Sequence, residues 1–305
     1  MIRLLADIGG THARFTLGQA GQFNTPVVYE NSRFRNESEL FARVRRDVVK
    51  DALVKTATLA VAGPVANNSV QLTNLNWNIT AENAARTLGV QHVELINDLA
   101  ALALGVPHVP SDMLLTLARG AHPAGPAAVI GVGTGIGTAT LLDDAHGRKV
   151  FSAEGGHVSL PLVDETGSTL FLEAVGESEP EAETLLAASG LLRLFNTVAR
   201  KNPEQTEARA PEEVVALLRQ SDPTAIQAFE MYTGLLGLFA RNLALSIGAS
   251  GGVYLAGTVL RELAPQLAKS PLVRNFTSGR QQAYLLNIPL MLIMDELVTF
   301  RGLNG

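Results

Sequence analysis

Asp7, Gly9, Gly10 and Thr11 follow the first apolar run of this 305-residue chain, in LLADIGGTHARFTL at residues 4 to 17. An ordinary turn needs one glycine and one polar residue, so this stretch clears more backbone than a turn requires. Backbone N–H groups with no side chains in front of them form a concave donor surface for phosphate oxygens. Thr11 adds a hydroxyl donor, and Asp7 is suited to a hydrated Mg²⁺, which keeps most of its waters and accepts one or two carboxylates. The same grammar returns in GVGTGIGTATLL at residues 131 to 142, with Thr134 between glycines. Ile136 stands where G-x-G-x-x-G requires its last glycine, and no Gly-Lys-Ser/Thr occurs, so neither the dinucleotide fingerprint nor the P-loop is present. A plain glycine turn with positive φ remains the competing reading of each hairpin.

Three further stretches carry acids. ELINDLAALALG, residues 94 to 105, ends an apolar strand at Asn97-Asp98 and starts a helical pattern. Asp98 reads either as that helix's N-cap or as a carboxylate at a strand's carboxyl edge, where α/β ligands bind. EGGHVSL, residues 154 to 160, sets Glu154 and His157 around two glycines. It is a turn with a satisfied histidine, or a pair matched to sugar hydroxyls, which both donate and accept. Glu183, in EAETLLAASGL, reads from composition as a solvated helical acid, and Glu181 faces elsewhere on the same predicted helix.

The elements that position these residues alternate between short β-rich runs and longer helical patterns, which predicts α/β architecture. Strands are expected at 3–6, 13–18, 56–61, 92–96, 127–131, 138–142, 252–255 and 289–293. Helices are expected at 37–49, 81–88, 99–104, 181–199, 211–219 and 223–247; Asp222 and Pro223 suit the cap and first position of the last, a central buried helix. The loop AHPAGPAA, residues 121 to 128, punctuates the middle of the chain.

Apolar residues make up 47% of the chain, enough for substantial cores, and the length suggests about two domains. A net charge of −5 without basic runs argues against nucleic acid as a partner. The absence of cysteine excludes disulfides and thiolate metal sites and fits a reducing cytosol. No stretch approaches the ~18 uninterrupted apolar residues of a membrane helix, and Asp7 interrupts any signal-peptide core. The expectation is a cytoplasmic protein without a membrane partner.

Together ADIGGTHAR, AVAGPV, LTNLNW, LINDLAALA, GVGTGIG, EGGHVSL, AETLLAASGL and GGVYLAG occur in the order found in bacterial ATP-dependent glucokinases, which the chain resembles over almost its whole length. The hairpins look like the phosphate loops of the hexokinase–actin–Hsp70 ATPase superfamily. The resemblance implies a two-domain actin-like fold, a duplicated RNase H-like core with a cleft between a small domain (1–107, with 296–305 returning to it) and a large one (108–295). It implies ATP bound by Ala6, Asp7, Ile8, Gly9, Gly10, Thr11, Gly133, Thr134, Gly135, Gly137 and Gly257, with Mg²⁺ on Asp7 through water. It further implies glucose held by Asn97, Asp98, Glu154, His157 and Glu183, Asp98 as the base, and a homodimer. A kinase for another hexose and a non-enzymatic nucleotide switch are the alternatives. Lacking cysteine, the chain cannot form the zinc cluster of a neighbouring family of sugar kinases and repressors, and with the phosphate loop at its start no DNA-binding helix pair is expected. Two departures from the family pattern stand out. Thr258 replaces the second glycine of the adenosine loop, where a β-branched residue would resist positive φ. VTFRGLNG, in place of a final helix across the first domain, is expected to alter domain packing.

Overall fold

A computed structural model describes residues 1–72, 75–121, 124–144, 147–160, 171, 173–176, 181–202 and 204–304. The chain forms two compact units, 1–110 with 295–305 and 111–294. The architecture is α/β, and each unit is built on a mixed sheet.

In the first unit the sheet order is β3-β2-β1-β5-β8, with β4 also on β2: β1 Arg3–Ile8, β2 His12–Gln19, β3 Gln22–Phe23, β4 Val27–Glu30, β5 Thr56–Val61 and β8 His92–Asn97. The side chains of β1 and β5 are almost all buried, as central strands covered on both faces require. Leu4, Ala6 and Ile8 enter a core with Phe15, Leu40, Phe41 and Trp77, closed by α1 (Glu37–Val44) and α2 (Ala81–Leu88). Leu5 points the other way, into a smaller cluster with Ala60, Ala101, Phe300 and Leu303. The predicted helix 37–49 is α-helical only to Val44; Arg45–Val49 widens into a π-turn that ends at Lys50, with φ 51°. A separate two-stranded ribbon pairs β6 (Ser69–Leu72) with β7 (Trp77–Thr80).

In the second unit the order is β12-β11-β10-β13-β14-β9: β9 Leu114–Ala118, β10 Ala127–Val132, β11 Ile136–Asp144, β12 Gly147–Ala153, β13 Gly252–Ala256 and β14 Leu290–Ile293. Here β12, β11 and β10 are antiparallel neighbours, while β13 and β14 continue parallel to β10. The first sheet has the same succession, with β2 antiparallel to β1 and then β5 and β8 parallel to it. The repeated glycine grammar in the sequence therefore marks a repeated sheet.

Helices of the second unit used below are α4 (Ala182–Leu186), α5 (Ala188–Ala199), α6 (Pro211–Arg219), α7 (Pro223–Ile247), α8 (Thr258–Glu262) and α9 (Pro271–Phe276). The single helix expected over 181–199 is two, parted at Ala187, whose ψ of 168° is extended. Helix α7 has the expected span. Asp222 accepts from Ala225 N at 2.8 Å, Gly248 ends the helix with φ 65°, and fully buried Tyr232 donates its hydroxyl to the Leu186 carbonyl at 2.9 Å.

The chain returns to the first unit for its last helix, Val298–Asn304, which corrects the expectation that VTFRGLNG supplies none. This helix packs on α3 (Asp98–Gly105) through facing glycines: a Cβ on Gly302 would lie 1.9 Å from the Ala101 carbonyl oxygen, and one on Gly105 2.0 Å from that of Val298. Among the described residues no helix is long and apolar enough to cross a membrane.

Candidate active site

In the first unit the parallel register lines up Ile8, Val61 and Asn97 at the ends of β1, β5 and β8. The glycine turn after Ile8 and the Asn97-Asp98 pair thus leave the same carboxyl edge of one sheet, where ligands of α/β sheets bind. Two strand spacings, about 10 Å, separate them. Asn97, and not Asp98, caps α3: its Oδ1 accepts from Ala100 N at 3.1 Å, and its Nδ2 donates to the Gly63 carbonyl at 3.0 Å. Asp98 is the first helical residue, with Oδ1 accepting from Leu99 N at 2.9 Å. The reading of Asp98 as the N-cap is therefore overturned, because the strand runs one residue further than expected and moves the boundary to Asn97.

Within the turn, Gly9 N–H donates to the His12 carbonyl at 3.0 Å. Asn31, which follows β4, claims two more carbonyls: its Nδ2 donates to Gly9 O at 2.8 Å and its backbone N–H to Thr11 O at 2.9 Å. No acceptor among the described residues meets the N–H groups of Gly10 or Thr11. Ala6, Asp7 and Ile8 are the last three residues of the strand leading in. The Asp7 carboxylate accepts through Oδ2 from both Nε (3.2 Å) and Nη2 of Arg14. Arg14 Nη1 donates to the Glu296 carbonyl at 2.9 Å, and the guanidinium lies 5.4 Å from the centre of the Phe300 ring.

The second unit repeats the arrangement with different parts. Its turn is Gly133–Gly135, between paired Val132 and Ile136. Gly133 N–H donates to Gly135 O at 2.9 Å, and Gly133 O accepts from Ala188 N at 2.9 Å. Ala188 opens α5, so the break at Ala187 is what frees its N–H for the turn. Glu183 lies against the turn, where Oε2 accepts from Ile136 N at 2.8 Å and a Cβ on Gly135 would meet it at 2.4 Å. The N–H groups of Thr134 and Gly135 are left without an acceptor among the described residues. Gly137 pairs with Gly131 in the ladder, and Gly131 with Ala256 at the end of β13. Gly257 follows with φ 150°, and a Cβ there would lie 2.1 Å from Val132 O, so only glycine fits. Thr258 begins α8 without positive φ, and its Oγ1 accepts from Arg261 at 3.1 Å. The strain expected at Thr258 is absent because Gly257 absorbs the unusual dihedral.

Strand β12 runs parallel to β10 through β11, so Glu154, just past Ala153, leaves the same edge as the Gly133 turn. His157 Nδ1 lies 2.7 Å from Glu181 Oε2, while its Nε2 is 4.0 Å from Glu154. The argument that set Glu181 aside assumed a helix, but Glu181 is extended, bridges Ser159, and precedes α4. The hydrogen bond that His157 donates to Glu181 raises its pKa above the ordinary value, with smaller help from the charges of Glu183 and Glu154. Sequence reasoning missed Asn31, Glu181 and the clamp role of Arg14. None carries a local pattern; each acquires its partner through sheet order or a loop crossing.

The chain as a whole has close relatives. A family model described as Glucokinase matches residues 4–305. A glucokinase of Nitrobacter hamburgensis is 34% identical over 307 residues, spanning 99% of this chain and 96% of that one. Among solved structures, a glucokinase from an Antarctic psychrotroph superposes with a TM-score of 0.84 at 28% identity, over 99% of this chain and 97% of that one. A Balamuthia mandrillaris glucokinase in complex with glucose also has a TM-score of 0.84, at 21% identity and over 99% and 92% of the two chains. With the family pattern matched from the first strand to the final helix, the chain belongs to the glucokinase family.

Proposed function

We propose that this ATP-dependent hexose kinase of the glucokinase family transfers the γ-phosphoryl group of ATP to the 6-hydroxyl of glucose with Asp98 as the base. Asp98 takes the hydroxyl proton as the sugar oxygen bonds to phosphorus and the bond to the ADP oxygen breaks. Phosphoryl transfer asks the protein mainly for positioning and charge stabilisation. Asn97, Glu154, His157 and Glu183 hold the sugar. Asn97 has one donor and one acceptor position left after its cap and its bond to Gly63. Glu183 bonds Ile136 through one carboxylate oxygen and offers the other.

The observation that carries the reading is the matched pair of unclaimed donors, Gly10 and Thr11 N–H in one unit and Thr134 and Gly135 N–H in the other. Two successive donors on a glycine turn suit the oxygens of a polyphosphate. Ala6, Ile8, Gly137 and Gly257 let the nucleotide approach the strand ends. Asp7 would hold Mg²⁺ with the carboxylate oxygen that Arg14 does not occupy. Among the described residues no group of three or more acids or imidazoles is gathered for a metal. When bound, the ion neutralises charge developing on the phosphates. Neither another hexose nor a pure switch is favoured. A homodimer in the cytoplasm, implied by the resemblance, belongs to the same proposal; sedimentation checks the assembly.

The test is Asp98→Asn. Asn97 keeps the cap, so the melting temperature should hold while turnover falls by about 10²–10⁴, the range of general-base catalysis. Near-normal turnover would sink the assignment.

A further inference from the structure

Each glycine turn has its first carbonyl claimed from within its own unit, and by unrelated groups. In the second unit the Ala188 backbone N–H takes Gly133 O; in the first the Asn31 side chain takes Gly9 O. In a trans peptide the carbonyl and the following N–H point in opposite directions. Holding Gly133 O therefore aims the Thr134 N–H away from Ala188, and holding Gly9 O aims the Gly10 N–H away from Asn31. We propose that Asn31 is the positioning residue of the first phosphate loop, fixing the direction of the Gly10 N–H for ATP. The inference rests on the reading of that loop as phosphate-binding.

The bond to Gly9 O is kept at a cost within the Asn31 side chain. The residue is 1% exposed, and its Oδ1 has no hydrogen-bond partner among the described residues. An unsatisfied buried acceptor costs about 1–3 kcal/mol, and it accompanies the side-chain bond to Gly9 O. The amide cannot turn over to relieve it, because Oδ1 would then face the Gly9 carbonyl, acceptor against acceptor. The group is held in the one orientation that serves the loop. Its own N–H on Thr11 O ties the other end of the turn to the same residue.

The experiment compares wild type with Asn31→Ala and Asn31→Ser by calorimetry, using Mg-AMPPNP and glucose separately. Losing one net hydrogen bond of orientation should raise the AMPPNP dissociation constant about tenfold. The glucose constant should stay within about twofold. Unchanged AMPPNP affinity, or equal weakening of both ligands, overturns the inference, since a residue that only fills the core would not separate them. A second measurement needs no variant: the Gly10 amide resonance of wild type should shift on adding AMPPNP, and a resonance that stays in place overturns the inference. Wild type that fails to bind AMPPNP at all would instead overturn the reading of the loop.

Discussion

At His157 the imidazole is held between acids, with Nδ1 on Glu181 and Nε2 towards Glu154. The hydrogen bond to Glu181 is the main reason its pKa is raised, and Glu183 and Glu154 act in the same sense. A raised folded-state value means that the pair's contribution to stability is fully present below the ordinary histidine value of about 6.5 and is lost as pH climbs through the raised one. Both side chains are about half exposed, so that contribution is small. The larger consequence is directional. In the neutral ring Glu181 retains the proton on Nδ1, leaving Nε2 as an acceptor towards a ligand. Glu181→Gln should bring the His157 midpoint down towards the ordinary value, as read by imidazole resonances across a pH series. A midpoint that does not move would mean that the contact is incidental.

Between elements, the parting of α4 from α5 matters more than the length of either. It lets the first N–H of α5 reach the Gly133 carbonyl, while Glu183 on α4 reaches Ile136. Gly190 makes the parting possible, since a Cβ there would lie 2.1 Å from the Leu185 carbonyl oxygen, a backbone atom that cannot swing aside. Gly190→Ala should cost about 1–3 kcal/mol of stability by overpacking. If Ala188 positions the turn, the KM for ATP should also rise, with glucose affinity less affected. A stable variant with an unaltered KM for ATP would separate the helix break from the loop.

Over the whole chain, the two sheets share a five-strand order, to which β4 is added in the first and β9 in the second, and in each the glycine turn joins the same two positions of the sheet. The first unit is finished by residues far away in sequence. The final helix rests on α3, Arg3 donates to the Leu303 carbonyl at 2.8 Å, and Arg14 ties Asp7 to Glu296. Asp295, only 3% exposed, is paired with Arg301 and anchors the start of this return. Gly302→Ala would force a Cβ against Ala101, on the helix that begins with Asp98. Thermal unfolding should shift to lower temperature and turnover should fall together, because the same contact supports the fold and the base. Lost stability with full turnover would show that α3 keeps its place without the last helix.

What the sequence determined by itself was whatever short-range chemistry controls. Strand 56–61 and helices 81–88, 211–219 and 223–247 have the predicted bounds because alternation, helical periodicity and caps such as Asp222 act within a few residues. The glycine turns were equally legible, since their spacing is a property of consecutive residues. Only the tertiary structure decided that Asn97 caps α3, that a helix divides at Ala187, that Glu181 meets His157, and that Asn31 reaches Gly9. The last two pairs are 24 and 22 residues apart, beyond one turn of helix or one hairpin, whereas the cap at Asn97 is local to Ala100 and followed the one-residue shift of the strand end. Which side chain arrives opposite which carbonyl is set by strand order and loop crossing, and no pattern along the chain encodes it.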